Sequence, residues 1–217
     1  MKAYIIAIDK EESQTAAQKC LKSAEDIGKI VAEIWPGFTP AENPRKYLAV
    51  NGISVSKFEA DSIYSRTEPC IAAFASHVSL WWYAYQSNKK ILILEHDAIF
   101  TGSLDYDRIP FKDICSIGAP SYGKFNTPSL LGVNTLTSKT YLPGAHAYMI
   151  TPRGARKLLD KAQADGGVPT DLFINKNDFN VQEYYPWIVK VKDNFSSIQH
   201  KRGCLAKHNY NAEFKIL

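Results

Sequence analysis

The run Ile91-Leu92-Ile93-Leu94 constrains this chain more than any other stretch. Four large aliphatic residues in a row leave no polar face, so they read as a strand buried on both sides, as in an α/β sheet. The run passes straight into Glu95-His96-Asp97. In an extended segment, side chains two apart point the same way, so Glu95 and Asp97 are expected to project together beyond the strand's carboxyl end. That is where open α/β sheets collect their ligands. Two carboxylates on a rigid strand end suit a divalent cation that holds a diphosphate. An acidic turn closing a core strand would use the same residues, and both readings stay open on these residues alone.

The flanking pattern supports an α/β chain. Ala3–Ile8 reads as a first strand. A helix capped by Ser13 follows, with Ala16, Ala17, Cys20, Leu21 and Ala24 at helical spacing and Gly28 as its stop. Lys29–Trp35 reads as a second strand, making a βαβ opening with a parallel pair. Asp9 and Lys10 fall at the carboxyl end of the first strand, on the expected ligand side, where a solvated turn is the alternative. A short helix is expected around Pro44–Val50, and an irregular connection over Lys57–Arg66. The clearest helix begins near Pro69, with Ile71, Phe74, Ala75, Val78, Trp81, Trp82 and Tyr85 spaced for one buried face. Trp81 and Trp82 could be mistaken for a sugar-stacking platform, but their spacing places at least one in the core. Ser76 and His77 are polar on this helix and are retained as candidate ligand contacts; a histidine there also serves as a structural residue.

Beyond the central strand, Ile114–Ala119 reads as a strand. Ser121–Thr140 is a long polar connection in which Tyr122, Lys124, Phe125 and Asn126 suggest a lid over a sugar. Ala145–Ile150 is a strand, Thr151 and Pro152 start a helix, and Gly166-Gly167 stop it. Asp171 stands at a further helix start. Gln182–Val191 is a last strand, placed at an edge by Pro186. The segment from Asn194 onward gathers His200, Lys201, Arg202, Lys207 and His208.

Length, 217 residues, suits one sizeable core, or two small ones. A net charge of +4 permits a nucleotide or nucleic-acid partner without requiring one. No apolar run approaches the ~20 residues that span a bilayer, and no signal peptide is apparent, so a cytoplasmic location is expected. Cys20, Cys70, Cys115 and Cys204 lack CxxC spacing, which argues for reduced thiols rather than a zinc site or disulfide framework.

Four stretches, in order, resemble glycosyltransferase family 25, the lipooligosaccharide and procollagen galactosyltransferase-like group. CIAAFASHVSLW (70–81) is similar to the family's Ser-His-x-x-Leu-Trp helix. ILILEHDAIF (91–100) is similar to its strand ending in Glu-Asp-Asp-Ala. PGAHAYMITPRGARKLL (143–159) is similar to its Gly-x-x-Ala-Tyr strand and Ser/Thr-Pro-x-Gly-Ala helix, and PTDLFI (169–174) to its Pro-x-Asp segment.

The resemblance implies a GT-A-like nucleotide-binding sandwich with a central mixed, mostly parallel sheet, forming one domain over 1–217. It implies inverting transfer of a hexose from a nucleotide sugar, typically a UDP-sugar with Mn²⁺ or Mg²⁺, to a hydroxyl of a glycan, lipooligosaccharide or other acceptor. Asp97 would bind the metal, with Glu95 helping directly or through water. Apart from the resemblance, His208 is a candidate metal ligand on the basic tail, 194–217, which either folds over the donor or is simply solvated. Asp9, Lys10, Ser76, His77, Glu95 and His96 would contact the donor. Asp171 is the expected catalytic base and Glu183 its reserve. His96 departs from the family's aspartate: it retunes the metal, faces away, or weakens the enzyme. Two alternatives follow: a sugar- or nucleotide-binding module that has lost turnover, and a transferase acting on modified DNA.

Overall fold

The structure, a computed structural model, describes residues 1–61, 65–192, 195–199 and 215–217. The chain opens with β1 (Lys2–Ala7), α1 (Glu11–Ser23) and β2 (Ala32–Pro36), and β1 pairs with β2 in parallel. Next come α2 (Pro44–Val50), the 21-residue α3 (Thr67–Ser87), β3 (Ile91–Glu95) and β4 (Ala98–Phe100). They are followed by β5 (Ile114–Ser116), β6 (Gly132–Thr135), β7 (Ala147–Ile150), α4 (Pro152–Asp165), α5 (Thr170–Phe173) and β8 (Val181–Tyr185). Short strands β9 (Val189–Val191), β10 (Phe195–Ser196) and β11 (Lys215–Ile216) complete the described elements.

Seven strands form one mixed sheet in the order β2-β1-β3-β7-β5-β8-β6. The β1–β2, β1–β3 and β5–β8 pairs are parallel, whereas β7 runs against β3 and β5, and β6 against β8. Five of the seven strands therefore share one direction, as expected of a mixed, mostly parallel sheet. The β3 run divides between two cores: Ile91 and Ile93 face a layer built on α3 and α4, while Leu92 and Leu94 face the α1 side. All four are at most 1% exposed. Burial on that scale contributes about 1.5–3 kcal/mol per side chain, which is why β3 sits mid-sheet.

Thr151 caps α4 as expected, its hydroxyl accepting the Gly154 N–H at 3.0 Å, with Pro152 in the first turn. Several expectations are corrected. Ser13 does not cap α1; the cap position is Lys10, and Ser13 lies inside the first turn, where its hydroxyl accepts the Ile8 N–H. The long 121–140 connection contains β6, which pairs with β8, so it is not wholly a lid. The last strand is two: β8 lies inside the sheet, and β9 leaves it to pair with β4, the chain turning at the cis Tyr185–Pro186 bond. Trp81 is fully buried, whereas Trp82 is only partly so. Cys20 and Cys115 are free, buried thiols, and Cys70 is buried as well. No helix among the described residues is long and apolar enough to cross a membrane.

Candidate active site

A cavity of about 630 Å³ opens at the carboxyl ends of β1 and β3. Ile6 enters it from β1, Ile8 and Lys10 from the turn after β1, and Glu95, His96 and Asp97 from the end of β3 and the turn after it. The N-terminal half of α3 supplies Ala73, Ser76 and His77, and Tyr122, Tyr141, Thr170 and Asp171 stand on other walls. Phe195 and Gln199 border it beside Arg66, whose guanidinium donates to the main-chain oxygens of Ser197 and Leu217.

Glu95 is held by a directional chain of hydrogen bonds. The Trp81 indole, which can only donate, gives its N–H to the Tyr148 hydroxyl at 2.9 Å. His77 Nε2 lies 3.3 Å from Glu95 Oε1; an ionised carboxylate can only accept, which assigns the ring's proton to Nε2. Nδ1 is then left to accept the proton of the Tyr148 hydroxyl, 2.9 Å away. Burial lowers the His77 pKa to about 3 against the opposing charge of Asp171, so the ring is neutral and acts as a pure N–H donor toward Glu95.

Asp97 reaches the same cavity by a different route. β3 ends at Glu95, and His96 and Asp97 form a turn rather than an extended continuation, so the two acids do not project side by side from one strand. Glu95 approaches from the α3 side. Asp97 approaches from the α1 side, close enough to Cys20 that its charge, after burial, raises that thiol. His96 does not face away: its Nδ1 lies 3.0 Å from the Ser13 hydroxyl, its ring stacks on Phe195 at 5.0 Å, and burial lowers its pKa to about 4. Among the described residues no group of three or more His, Cys, Asp or Glu side chains forms a self-sufficient metal site. Two carboxylates lining one cavity nevertheless fit a hard cation that draws its remaining oxygens from a diphosphate and water.

Asp171, in α5, accepts the Leu172 N–H at 3.0 Å through Oδ1 and the Tyr122 hydroxyl through Oδ2. Burial first, then the Asp171 charge, drives the Tyr122 pKa upward, so Tyr122 stays protonated and donates. Lys139 holds this corner, donating to the Tyr122 main-chain oxygen at 2.9 Å while lying over the Tyr122 and Tyr141 rings. The assembly offers a positioned carboxylate facing the same space as Glu95 and Asp97.

Residues 1–108 match the family model of glycosyltransferase family 25 (LPS biosynthesis protein). That half of the chain belongs to glycosyltransferase family 25. A comparison with curated proteins finds no match. Among solved structures, the chain is similar to the apo form of mouse xyloside xylosyltransferase 1, at 13% identity over 79% of each chain and a TM-score of 0.41, a likeness too distant to bear on function.

The family 25 segment carries Lys10, Ser76, His77, Glu95, His96 and Asp97, and the structure brings all six to one cavity. Ser76 is committed to structure there, donating to Ala72 and accepting from the Phe38 N–H. Asp9 is exposed and does not line the cavity. Glu183 is not a reserve base. It is fully buried in β8, outside the cavity, where Oε1 accepts from Thr137 N, Thr137 Oγ1 and Ser138 N at 2.6–3.1 Å. Among the suggested lid residues, only Tyr122 lines the cavity. His208 lies outside the described residues. Sequence reasoning missed the roles of Tyr148 and Trp81 behind His77, and of Tyr122 on Asp171. The spacing of His77 and Trp81, one helical turn apart, was the available signal.

Proposed function

We propose that this chain is an inverting, cation-assisted hexosyltransferase that takes its sugar from a nucleotide sugar, with UDP the expected nucleotide, and gives it to an acceptor hydroxyl. The observation that carries the reading is the presence of Glu95, Asp97 and Asp171 on the walls of one cavity at the carboxyl end of a mostly parallel sheet. GT-A-like organisation in a single domain is part of the proposal.

In this reading Lys10 and the two acids beside β3 form the diphosphate end of the cavity. Glu95 and Asp97 would hold Mn²⁺ or Mg²⁺, which offsets negative charge on the leaving diphosphate. Asp171 receives the proton of the acceptor hydroxyl as its oxygen bonds to the anomeric carbon and the bond to the diphosphate oxygen breaks on the opposite face. Tyr122 keeps its proton throughout and fixes the carboxylate's direction. Among the described residues the lining carries two cations, Lys10 and Arg66, which suits one diphosphate better than a nucleic-acid backbone.

The test is a panel of nucleotide sugars, with and without Mn²⁺, followed by release of free nucleoside diphosphate. Turnover should require the cation, and Asp97→Ala should abolish it while leaving the folded structure intact. Unchanged turnover in that variant would overturn the assignment. Binding of UDP by a wild-type chain that turns over no donor would make it a binding module instead.

A further inference from the structure

A second cavity, about 390 Å³, lies between α2, α3 and β2. We infer that it is a subsite for a neutral sugar portion of the acceptor, an assignment that rests on the transferase reading above. Its walls are the aromatic residues Trp35, Tyr47, Trp82 and Tyr83, joined by Asn51, Ser79 and Gln86. Among the described residues no charged side chain lines it, which disfavours a phosphate, a nucleotide or an acidic peptide as occupant. Aromatic surface mixed with uncharged hydrogen-bonding groups matches a pyranose, whose C–H face meets the negative π-face of a ring while its hydroxyls pair with amides. The volume falls within the ~300–1,000 Å³ range of small-ligand sites.

The polar groups are divided between structure and groove. Ser79 is spent, accepting the Trp35 indole N–H and donating to the Ser76 main-chain oxygen. Tyr83 accepts from the Tyr4 hydroxyl at 2.6 Å and donates to nothing among the described residues. The Gln86 amide likewise has no partner among them, and Gln86 is exposed. A donor hydroxyl and a free amide therefore remain for a ligand.

Position decides the occupant. Phe38 lines the large cavity and Tyr47 the small one, and their rings pack at 4.7 Å as a shared wall. Along α3, Ser76 belongs to the large cavity and Ser79, one turn on, to the small one. The two cavities meet at that ring pair, so an oligosaccharide whose terminal hydroxyl sits near Asp171 would cross it to enter the groove.

The experiment titrates maltotriose, cellotriose and lactotriose into the full chain with the large cavity filled by UDP and Mn²⁺, following the tryptophan indole N–H resonances. At least one trisaccharide should bind and shift Trp35 and Trp82. Gln86→Ala, at an exposed site, and Trp82→Phe should each weaken that binding by about tenfold, with UDP affinity unchanged. The subsite is overturned if no trisaccharide moves those resonances, if both variants bind as wild type, or if the groove instead mediates self-association in sedimentation. UDP affinity and donor turnover are read separately, so failure of the subsite is distinguishable from failure of the transferase reading.

Discussion

Tyr148→Phe is the sharpest test of how the site is held. The substitution keeps the ring, which stacks against His77 at 5.8 Å, and removes one hydroxyl from a place where Trp81 and Tyr148 are 0% and His77 is 1% exposed. The Trp81 N–H loses its acceptor and His77 Nδ1 loses its donor. Each of the two orphaned buried groups costs ~1–3 kcal/mol, so the variant should lose about 2–6 kcal/mol of stability. His77 is also released from its tautomer and no longer presents a fixed N–H to Glu95. Weakening one hydrogen bond to a carboxylate by about 1.4 kcal/mol predicts a roughly tenfold fall in kcat.

Stability is read from urea unfolding, where the midpoint should drop with an unchanged slope. The histidine ¹⁵N spectrum of the wild-type chain should show His77 protonated at Nε2 alone. A stability loss under ~0.5 kcal/mol, or a wild-type spectrum with the proton on Nδ1, would refute the directional chain.

Glu183→Ala should cost about 2–3 kcal/mol, since it strands the Thr137 and Ser138 donors, yet leave the kcat of the folded fraction unchanged; a kcat loss in folded protein would restore Glu183 to catalysis. Burial lowers His77 to about 3 and His96 and His146 to about 4. Unfolded histidines titrate near ~6.5, so their contribution is complete above that pH and is lost as pH falls from ~6.5 toward ~4, by up to ~1.4 kcal/mol per unit for each ring. Urea midpoints that stay constant across this window would contradict the burial. Because no three-ligand cluster exists among the described residues, Mn²⁺ alone should bind weakly and UDP should tighten it at least ~10-fold by calorimetry; equal affinity with and without UDP would argue for a complete protein site.

The parts of the fold legible in the sequence are those where local chemistry and tertiary context agree. α2 is found at Pro44–Val50 as expected, and Thr151-Pro152 starts α4 where the pattern places it. β3 is unmistakable because an all-aliphatic run has no place but mid-sheet. The failures arise where tertiary pairing overrides local pattern. Pro186 suggested an edge strand, but it follows β8, and the edge is taken by the Gly132–Thr135 segment, too polar to announce itself as a strand. The alternation assumed for Glu95 and Asp97 fails because the strand stops at Glu95 and both His96 and Asp97 belong to a turn. His146 also escaped notice: buried among close glycines, where a Cβ on Gly118 would stand 2.4 Å from its Nε2, it has no hydrogen-bond partner among the described residues.

The hydrogen-bond chain to Glu95 explains why the recognisable motifs occur together. The Ser-His-x-x-Leu-Trp stretch places His77 and Trp81 one turn apart on α3, so both reach the same tyrosine. That tyrosine comes from the Gly-x-x-Ala-Tyr stretch, carried on β7, the antiparallel neighbour of β3. The acid it serves, through His77, is the first of the Glu-His-Asp stretch. Three motifs separated by up to about 70 residues are thus the parts of one device that fixes a carboxylate's orientation. The device also crosses the boundary of the matched family segment, residues 1–108, since Tyr148 and Asp171 lie beyond it. A truncated 1–108 fragment would keep Glu95, His96 and Asp97 but lose the donor that sets His77's tautomer and the wall that carries Asp171. The chemistry of the cavity is therefore a property of the whole sheet, not of the acidic strand end alone.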